Sequence, residues 1–457
     1  MKKIVTQPEQ RAFFEDVANG RSADDRNGSS FSDPSFAVNK RAPVHRWVPW
    51  IAGFSKDFVS DAICRHLQKP GVILDPFAGV GTTLVEAVLR GHDAVGFEIN
   101  PYAVLATRAK TSAYLVSLSH FKTAVKKFEL FYLRALKTGY EPESKPPVGF
   151  HTRAEFYSPK VLHKVLVVQD FVQGKVSGIT KDLFALAFAA TMVSYSNYSY
   201  EPSLSRRASA GKTDILDFDV GKTVLRKLSE MAEDIRWLSQ NMNQRVPRAE
   251  IWNDSFFNCR QFMTGGTVDL VVTSPPYLNN YHYNRNTRPQ LYWLNFAQSS
   301  KDFVPLEQQN FGKYWQTVRG GKRIDLDFPE PDAGIVRCLD LIREQKPEKG
   351  VYGGNGWANY AASYFNDCYR FAKVVKWTLR RRGTALVVIG NNIIQGVMVP
   401  TDRFLARIAD AAGLEVIDIH IPRETRVGNS IIQSKVRVTK AKKSHRLYEA
   451  VVELRKR

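Results

Sequence analysis

The sequence predicts an α/β protein with a parallel sheet, and three observations carry that expectation. GVILDPFAGVGTT runs from a short apolar strand (72–74) into a glycine turn. LVEAVLRG follows as a helix that stops at Gly91. DAVGFEINP is then a second strand, closed by an acid and an Asn-Pro stop. Strand, glycine loop, helix and strand form a βαβ unit, and a helical crossover joins strands that run parallel.

Residues 1–45 are polar and rich in turn formers. NGRSADDRNGSSFSDPS (19–35) has little to contribute to a core, so the segment is expected to be mobile. Residues 46–110 make the first part of the α/β domain. They open with HRWVPWIAGFSKDFVSDAICRHL, where Phe58, Ile63 and Leu67 share one helical face. Residues 111–250 change period. KVLHKVLVVQDFVQGKV, KDLFALAFAATMVSYSNYSY and TVLRKLSEMAEDIRWLSQNM are helical and form an insert.

The α/β pattern resumes over 251–295 with the strand VDLVVTSPPY. Residues 296–355 read as irregular and charged. Residues 356–457 supply the rest of the sheet: a long helix GNGWANYAASYFNDCYRFAKVVKWTLRRR, the strand TALVVIGNN, the helix DRFLARIADAAG, and the strands LEVIDIHIP and YEAVVELRK.

Composition narrows the function. Among 457 residues, 65 Lys and Arg face 45 Asp and Glu, a formal net charge of +20, which favours a polyanionic partner such as nucleic acid. The four cysteines are far apart with no C-x-x-C pair, which argues against a disulfide scaffold or structural zinc and for a reducing compartment. No metal-ligand spacing is visible among the histidines, His92 and His282 included. No signal-like apolar region opens the chain and no apolar stretch of about 18 residues occurs, so a cytoplasmic protein without a membrane span is expected.

Two constellations carry chemistry. In Asp75-Pro76-Phe77-Ala78-Gly79-Val80-Gly81-Thr82-Thr83, glycines after a buried strand let backbone approach a ligand, and a helix N-terminus lies just beyond. The spacing is neither G-x-G-x-x-G nor a P-loop, but Glu98 ends the next strand, where an acid takes ribose hydroxyls. In Thr273-Ser274-Pro275-Pro276-Tyr277, the prolines fix φ and leave carbonyls exposed. A Ser hydroxyl, a Pro carbonyl and an aromatic face suit a planar group with an exocyclic amine. Each constellation has a plain structural alternative, a strand-to-helix turn and a proline-rich loop over a buried Tyr.

Together, DPFAGVGTT and TSPPY resemble the S-adenosylmethionine-dependent amino-methyltransferases of DNA, which methylate cytosine N4 or adenine N6. The motifs cover 46–110 and 251–295, and the strand and helix pattern extends the resemblance over 356–457. It implies a seven-stranded, mostly parallel Rossmann-like methyltransferase sheet with the last strand antiparallel, interrupted by the large helical insert. It implies S-adenosyl-L-methionine as cofactor, bound by Phe54, Ser55, Asp75, Pro76, Phe77, Gly79, Gly81, Thr82, Thr83, Glu98, Asn100, Asp254 and Thr273. Ser274, Pro275, Pro276 and Tyr277 would form the catalytic loop, with Ser274 Oγ and the Pro275 carbonyl on the target amine.

The implied partner is double-stranded DNA, in a bacterial or archaeal cytosol, within a restriction-modification or defence system. Two regions compete for DNA recognition, the insert 111–250 and the segment 296–355. Tyr198, Arg206 and Arg207 on one loop, and Tyr281, Tyr283, Arg285 and Arg288 after the catalytic motif, are the candidate contacts. Ser274 favours cytosine N4. Adenine N6, an RNA base, and a non-catalytic DNA-binding role remain as alternatives. Asp332 with Glu344-Gln345-Lys346 mimics a nuclease pattern without strand context, and KVRVTKAKKSHR near the C-terminus reads equally as a phosphate contact or a solvated charge run.

Overall fold

A computed structural model describes residues 31–50, 53–200, 203–243, 245–278, 283–425 and 447–457. Seven strands form the main sheet: β1 Val72–Asp75, β2 Asp93–Phe97, β3 Ala249–Trp252, β4 Val268–Thr273, β5 Leu379–Gly390, β6 Glu415–Thr425 and β7 Leu447–Arg455. Their order across the sheet is β6-β7-β5-β4-β1-β2-β3. β1 pairs in parallel with β2 and β4, β2 with β3, and β4 with β5, whereas β7 runs antiparallel to both β5 and β6. The expected α/β class, with its last strand reversed, is what the chain adopts.

The strands read as apolar runs because both faces are covered. Alternate residues serve opposite faces. Ile73, Leu270, Val272, Leu386, Val388 and Val451 pack against Phe58, Val59 and Ile63 of helix α1 (Lys56–His66) and Leu84 and Ala87 of α2 (Thr82–Leu89). Leu74, Val271, Val387, Ile389, Val452 and Leu454 face the other way, into a core shared with Phe365, Phe371 and Phe404.

Helix α3 (Pro101–Ser112) begins on Asn100, whose side chain accepts from the N–H groups of Tyr102 and Ala103, with Pro101 at the first helical position. Beyond it, α4 (Leu118–Thr138), α5 (Pro159–Gly174), α6 (Gly178–Thr191) and α7 (Val220–Asn241) bury one face each. On α4 that face is Phe121, Phe128 and Tyr132, and on α7 it is Val224, Leu228, Met231 and Ile235, the spacing of an amphipathic helix. This core is continuous with Tyr102, Ala106 and Ala109 of α3 and with Val44 and Trp47, so the helices share one core with the sheet's flank.

Residues 1–30 lie outside the described residues, but 31–45 differ from the expected mobile segment. Phe31, Asn39, Ala42, Val44 and His45 are buried. The reason is polar as well as apolar. Asp234, 1% exposed on α7, accepts from Val44 N–H (2.8 Å), Trp47 Nε1 (2.8 Å), and Arg46 Nε (3.1 Å) and Nη2 (2.6 Å). Removing it leaves two buried N–H donors and a guanidinium without their acceptor. Asp234→Ala is expected to cost about 3 kcal/mol, at the lower end for breaking a buried ion pair, because Arg46 is partly exposed. Urea unfolding checks it, and a loss under 1 kcal/mol would show the tie to be unimportant.

Two other expectations are corrected. The segment read as irregular contains helix α8 (Ala333–Arg343), capped by Asp332 and burying Ile335, Cys338, Leu339 and Ile342. Asp332 is thus a cap, which removes the nuclease-like reading of that acid. The following helix, α9 (Gly354–Thr378), stops before LRRR. Leu379 pairs with Val268, and pairing resumes at Thr384 with Leu270, so 380–383 bulge out of the ladder with Arg382 at φ 64°. Three arginines after a helix resembled a charge-complemented C-terminus. Helix α10 (Thr401–Ala411) completes the layer on that face. Among the described residues, no helix is long and apolar enough to cross a membrane.

Candidate active site

The glycine loop is held from below. Asp75, fully buried at the end of β1, accepts from Phe77 N–H (3.1 Å) and from Thr273 Oγ1 (2.6 Å) at the end of β4. Burial pushes its carboxyl up to about 6, and its Oδ2 has no partner among the described residues. Thr83 Oγ1 donates to the Val272 carbonyl (3.2 Å). Thr107 Oγ1 donates to the Gly79 carbonyl (3.0 Å), and buried Lys110 donates to that of Val80 (3.0 Å). Gly81 has φ +85°, and a Cβ there would meet Thr107 at 2.8 Å, so both conformation and space require glycine.

Above this frame lies a pocket at the C-terminal ends of β1, β2 and β4 and beside Asp254, just past β3. Open sheets of this kind take ligands at that end. Pro76, Phe77, Gly79, Glu98, Asn100, Asp254, Ser274 and Pro276 line it. Glu98 Oε2 accepts from Gly79 N–H (2.9 Å) and Oε1 from Asn100 N–H (2.8 Å), which aims the carboxylate along the glycine loop. Burial raises its pKa to about 7 despite those bonds. Asp254 Oδ1 accepts from Ser255 N–H (2.6 Å) and Asn258 Nδ2 (2.9 Å). Tyr364 of α9 donates to the Pro276 carbonyl (3.0 Å) and braces the proline turn.

Other candidate residues stand elsewhere. Gly81, Thr82, Thr83, Asp75 and Thr273 support the loop rather than line the pocket. Ser55 is fully buried as the cap of α1, accepting from Asp57 and Phe58 N–H, and Phe54 packs on Phe58. Asn39 joins that segment to the loop, donating to the Phe54 carbonyl (3.1 Å) and Thr82 Oγ1 (3.4 Å). Pro275 is buried and does not line the pocket. Tyr277 turns toward the sheet, its hydroxyl donating to Glu449 Oε1 (3.1 Å) and its ring against Gly390.

Tyr198 is buried, stacks on Phe156 and accepts from Ala154 N–H (3.3 Å), so it is a core residue and not a DNA contact. Arg206 lies 3.7 Å from Asp214, and Arg207 Nε donates to the Thr213 carbonyl (2.9 Å). Arg285 is exposed on a helical turn, Tyr283–Asn286, after the catalytic motif, and Arg288 lies over the rings of Phe150 and Tyr292. Tyr281, His282 and the basic segment 435–446 lie outside the described residues.

Sequence reasoning missed Trp50, Ile99, Asn284 and Phe311, all of which line the pocket. Trp50 Nε1 sits 3.4 Å from where a Cβ on Gly79 would be, an ordinary contact, so it is the φ of +51° at Gly79 that calls for glycine there. Phe311 meets Phe77 edge-on (centroids 5.1 Å apart) and brings the 296–355 segment to the pocket wall. Only the aromatic content near Trp50 gave any signal.

Residues 31–108, which hold the glycine loop and Glu98, match the DNA methylase family. The matches support an amino-methyltransferase. The chain is 23% identical over 434 residues to the Type II methyltransferase M.BsoBI of Geobacillus stearothermophilus, covering 87% of this chain and 83% of that protein. It is 26% identical over 428 residues to the Type II methyltransferase M.AvaI of Nostoc sp., covering 87% and 84%. Among solved structures, TrmN from Thermus thermophilus matches with a TM-score of 0.32 at 8% identity, over 92% of this chain and 53% of that one.

The matched family implies S-adenosylmethionine as the cofactor, and the pocket's own charge suits it. Among the described residues the lining holds two acids, Glu98 and Asp254, and no Lys, Arg or His, within a chain of net charge +20. An acidic pocket in a basic protein favours a cationic small molecule, and a sulfonium is one. Glu98 keeps acceptor capacity on both oxygens, and Asp254 Oδ2 takes no partner among the described residues.

Proposed function

We propose that this methyltransferase transfers a methyl group from S-adenosylmethionine to N4 of cytosine in double-stranded DNA. The observation that carries the reading is that Ser274 and Pro276 line the same pocket as Glu98 and Asp254. When bound, the cofactor supplies a methyl group activated by a positively charged sulfur. Glu98 would hold the ribose hydroxyls, Asp254 the adenine amine, and the glycine loop the methionine end, with Phe54 and Ser55 positioning the segment beside that loop.

The exocyclic amine of a base is a weak nucleophile because its lone pair is delocalised into the ring. Ser274 Oγ and a carbonyl of the proline turn accept from that amine and favour a pyramidal nitrogen. Catalysis is then positioning and electrostatics, without a covalent intermediate. The target must leave the duplex to reach the pocket. Arg285 and Arg288, directly after the catalytic motif, would take backbone phosphates. The 296–355 segment is the favoured recognition region, since Phe311 brings it to the pocket, whereas Tyr195 and Tyr198 of the competing loop are buried. The Type II names of the relatives support a place in a restriction-modification system.

Ser274 supports cytosine: in the amino-methyltransferases that the motif resembles, Ser at this position goes mostly with cytosine and Asp or Asn mostly with adenine. The test is to digest DNA methylated by the purified protein and identify the nucleoside by mass spectrometry. N4-methylcytosine is the expected product. N6-methyladenine alone would overturn the base assignment, and 5-methylcytosine would overturn amino transfer itself.

A further inference from the structure

Resting on that functional reading, we propose that Asn284 is a specificity residue that donates from Nδ2 to the ring nitrogen beside the target amine. Asn284 lines the pocket and is 2% exposed, and its Nδ2 has no hydrogen-bond partner among the described residues. A buried amide donor with nothing to bond is costly unless a ligand completes it.

The orientation of the amide follows from its neighbours. Asn100 must present Oδ1 to α3, because it accepts there from the N–H groups of Tyr102 (3.0 Å) and Ala103 (3.4 Å). Its Nδ2 therefore points outward, donating to Thr287 Oγ1 (2.7 Å) and Asn284 Oδ1 (3.4 Å). With Oδ1 committed to Asn100, Asn284 turns its NH₂ the other way. The turn that carries it is clamped. The Asn286 carbonyl accepts from Tyr200 (2.9 Å), and Asn286 Oδ1 accepts from Leu204 N–H (3.2 Å). The donor is thus fixed by the cap of α3 on one side and by Tyr200 and Leu204 on the other.

The chemistry that such a donor completes is an amidine edge. Cytosine presents N3 beside its 4-amino group, and adenine presents N1 beside its 6-amino group. Ser274 and the proline turn supply acceptors for the amine, while the ring nitrogen beside it needs a donor. Asn284 supplies one from the segment that directly follows the catalytic motif. The pair would reject a base whose edge carries the reverse pattern, a carbonyl beside a ring N–H.

The test uses the full-length protein, duplex DNA carrying its mapped site, and the same duplex with 3-deazacytosine at the target, where C–H replaces N3 (1-deazaadenine if the target is adenine). Asn284→Ala and Asn284→Leu should lower kcat/KM about 10- to 100-fold, with affinity for S-adenosylmethionine within twofold of wild type. Wild type should lose a similar factor on the deaza duplex, a result that needs no variant to fold. The variants should lose little more on that duplex, because donor and acceptor form one bond. Losses that simply multiply, unchanged kcat/KM, or a matching fall in cofactor affinity would each overturn the assignment while leaving amino transfer in place. A wild-type protein that methylates no DNA base overturns both.

Discussion

Alanine in place of Glu98 is expected to weaken S-adenosylmethionine binding by at least about 100-fold, measured by calorimetry. Two hydroxyl hydrogen bonds to one carboxylate are worth ~1.5–3 kcal/mol each. The variant also frees the Gly79 and Asn100 N–H groups that this carboxylate now accepts from. The effect should depend on pH in a defined sense. Burial raises Glu98 to about 7, so near pH 6.5 the apo protein carries it largely protonated. A cation and two hydroxyl donors favour the ionised form, so affinity should rise as pH rises to about 7 and then level off, with a proton released on binding below that point. Glu98→Gln should bind weakly with no such rise.

The same shift has a consequence for stability. The folded state holds the Glu98 proton to higher pH than the unfolded chain, whose ordinary value is 4.5. The apo protein should therefore gain stability from this group as pH falls from about 7 toward 4.5, and Glu98→Gln should lose that gain. Unchanged cofactor affinity in the alanine variant would remove Glu98 from the site.

Ser274→Ala is expected to lower kcat about 100-fold, comparable with deleting one preorganised polar contact to a reacting group. Affinity for S-adenosylmethionine should stay within about threefold, because Ser274 belongs to the catalytic turn and not to the Glu98 cradle. Single-turnover kinetics with labelled cofactor separates the two. Retained transfer at the wild-type rate would mean that the amine is held by backbone carbonyls alone.

The sheet was legible because its strands are buried on both faces and read as unbroken apolar runs. Glycine spacing and Glu98 marked one side of the pocket, and TSPPY marked the other. Geometry then redistributed the roles. Asp75 has the composition of a ligand-binding acid, yet it lies beneath the loop, bound to Phe77 and Thr273. Tyr198 sits among basic residues in sequence, but its ring stacks in the helical core. No periodicity could announce Asn284 or Phe311, because Asn284 reaches the pocket from a single helical turn and Phe311 from outside any helix or strand, through contacts that depend on the folded frame. Helix α8 was legible in principle: AGIVRCLDLIR places Ile335, Cys338, Leu339 and Ile342 at helical spacing within charged surroundings.

The most direct test of the central claim follows a labelled methyl group from S-adenosylmethionine into nucleic acid, with wild type and the Glu98 and Ser274 variants side by side. The expected result is label on an exocyclic amine of DNA, lost through binding in Glu98→Ala and through turnover in Ser274→Ala. Label on a ring carbon, label on RNA and not DNA, or full transfer by both variants would contradict it.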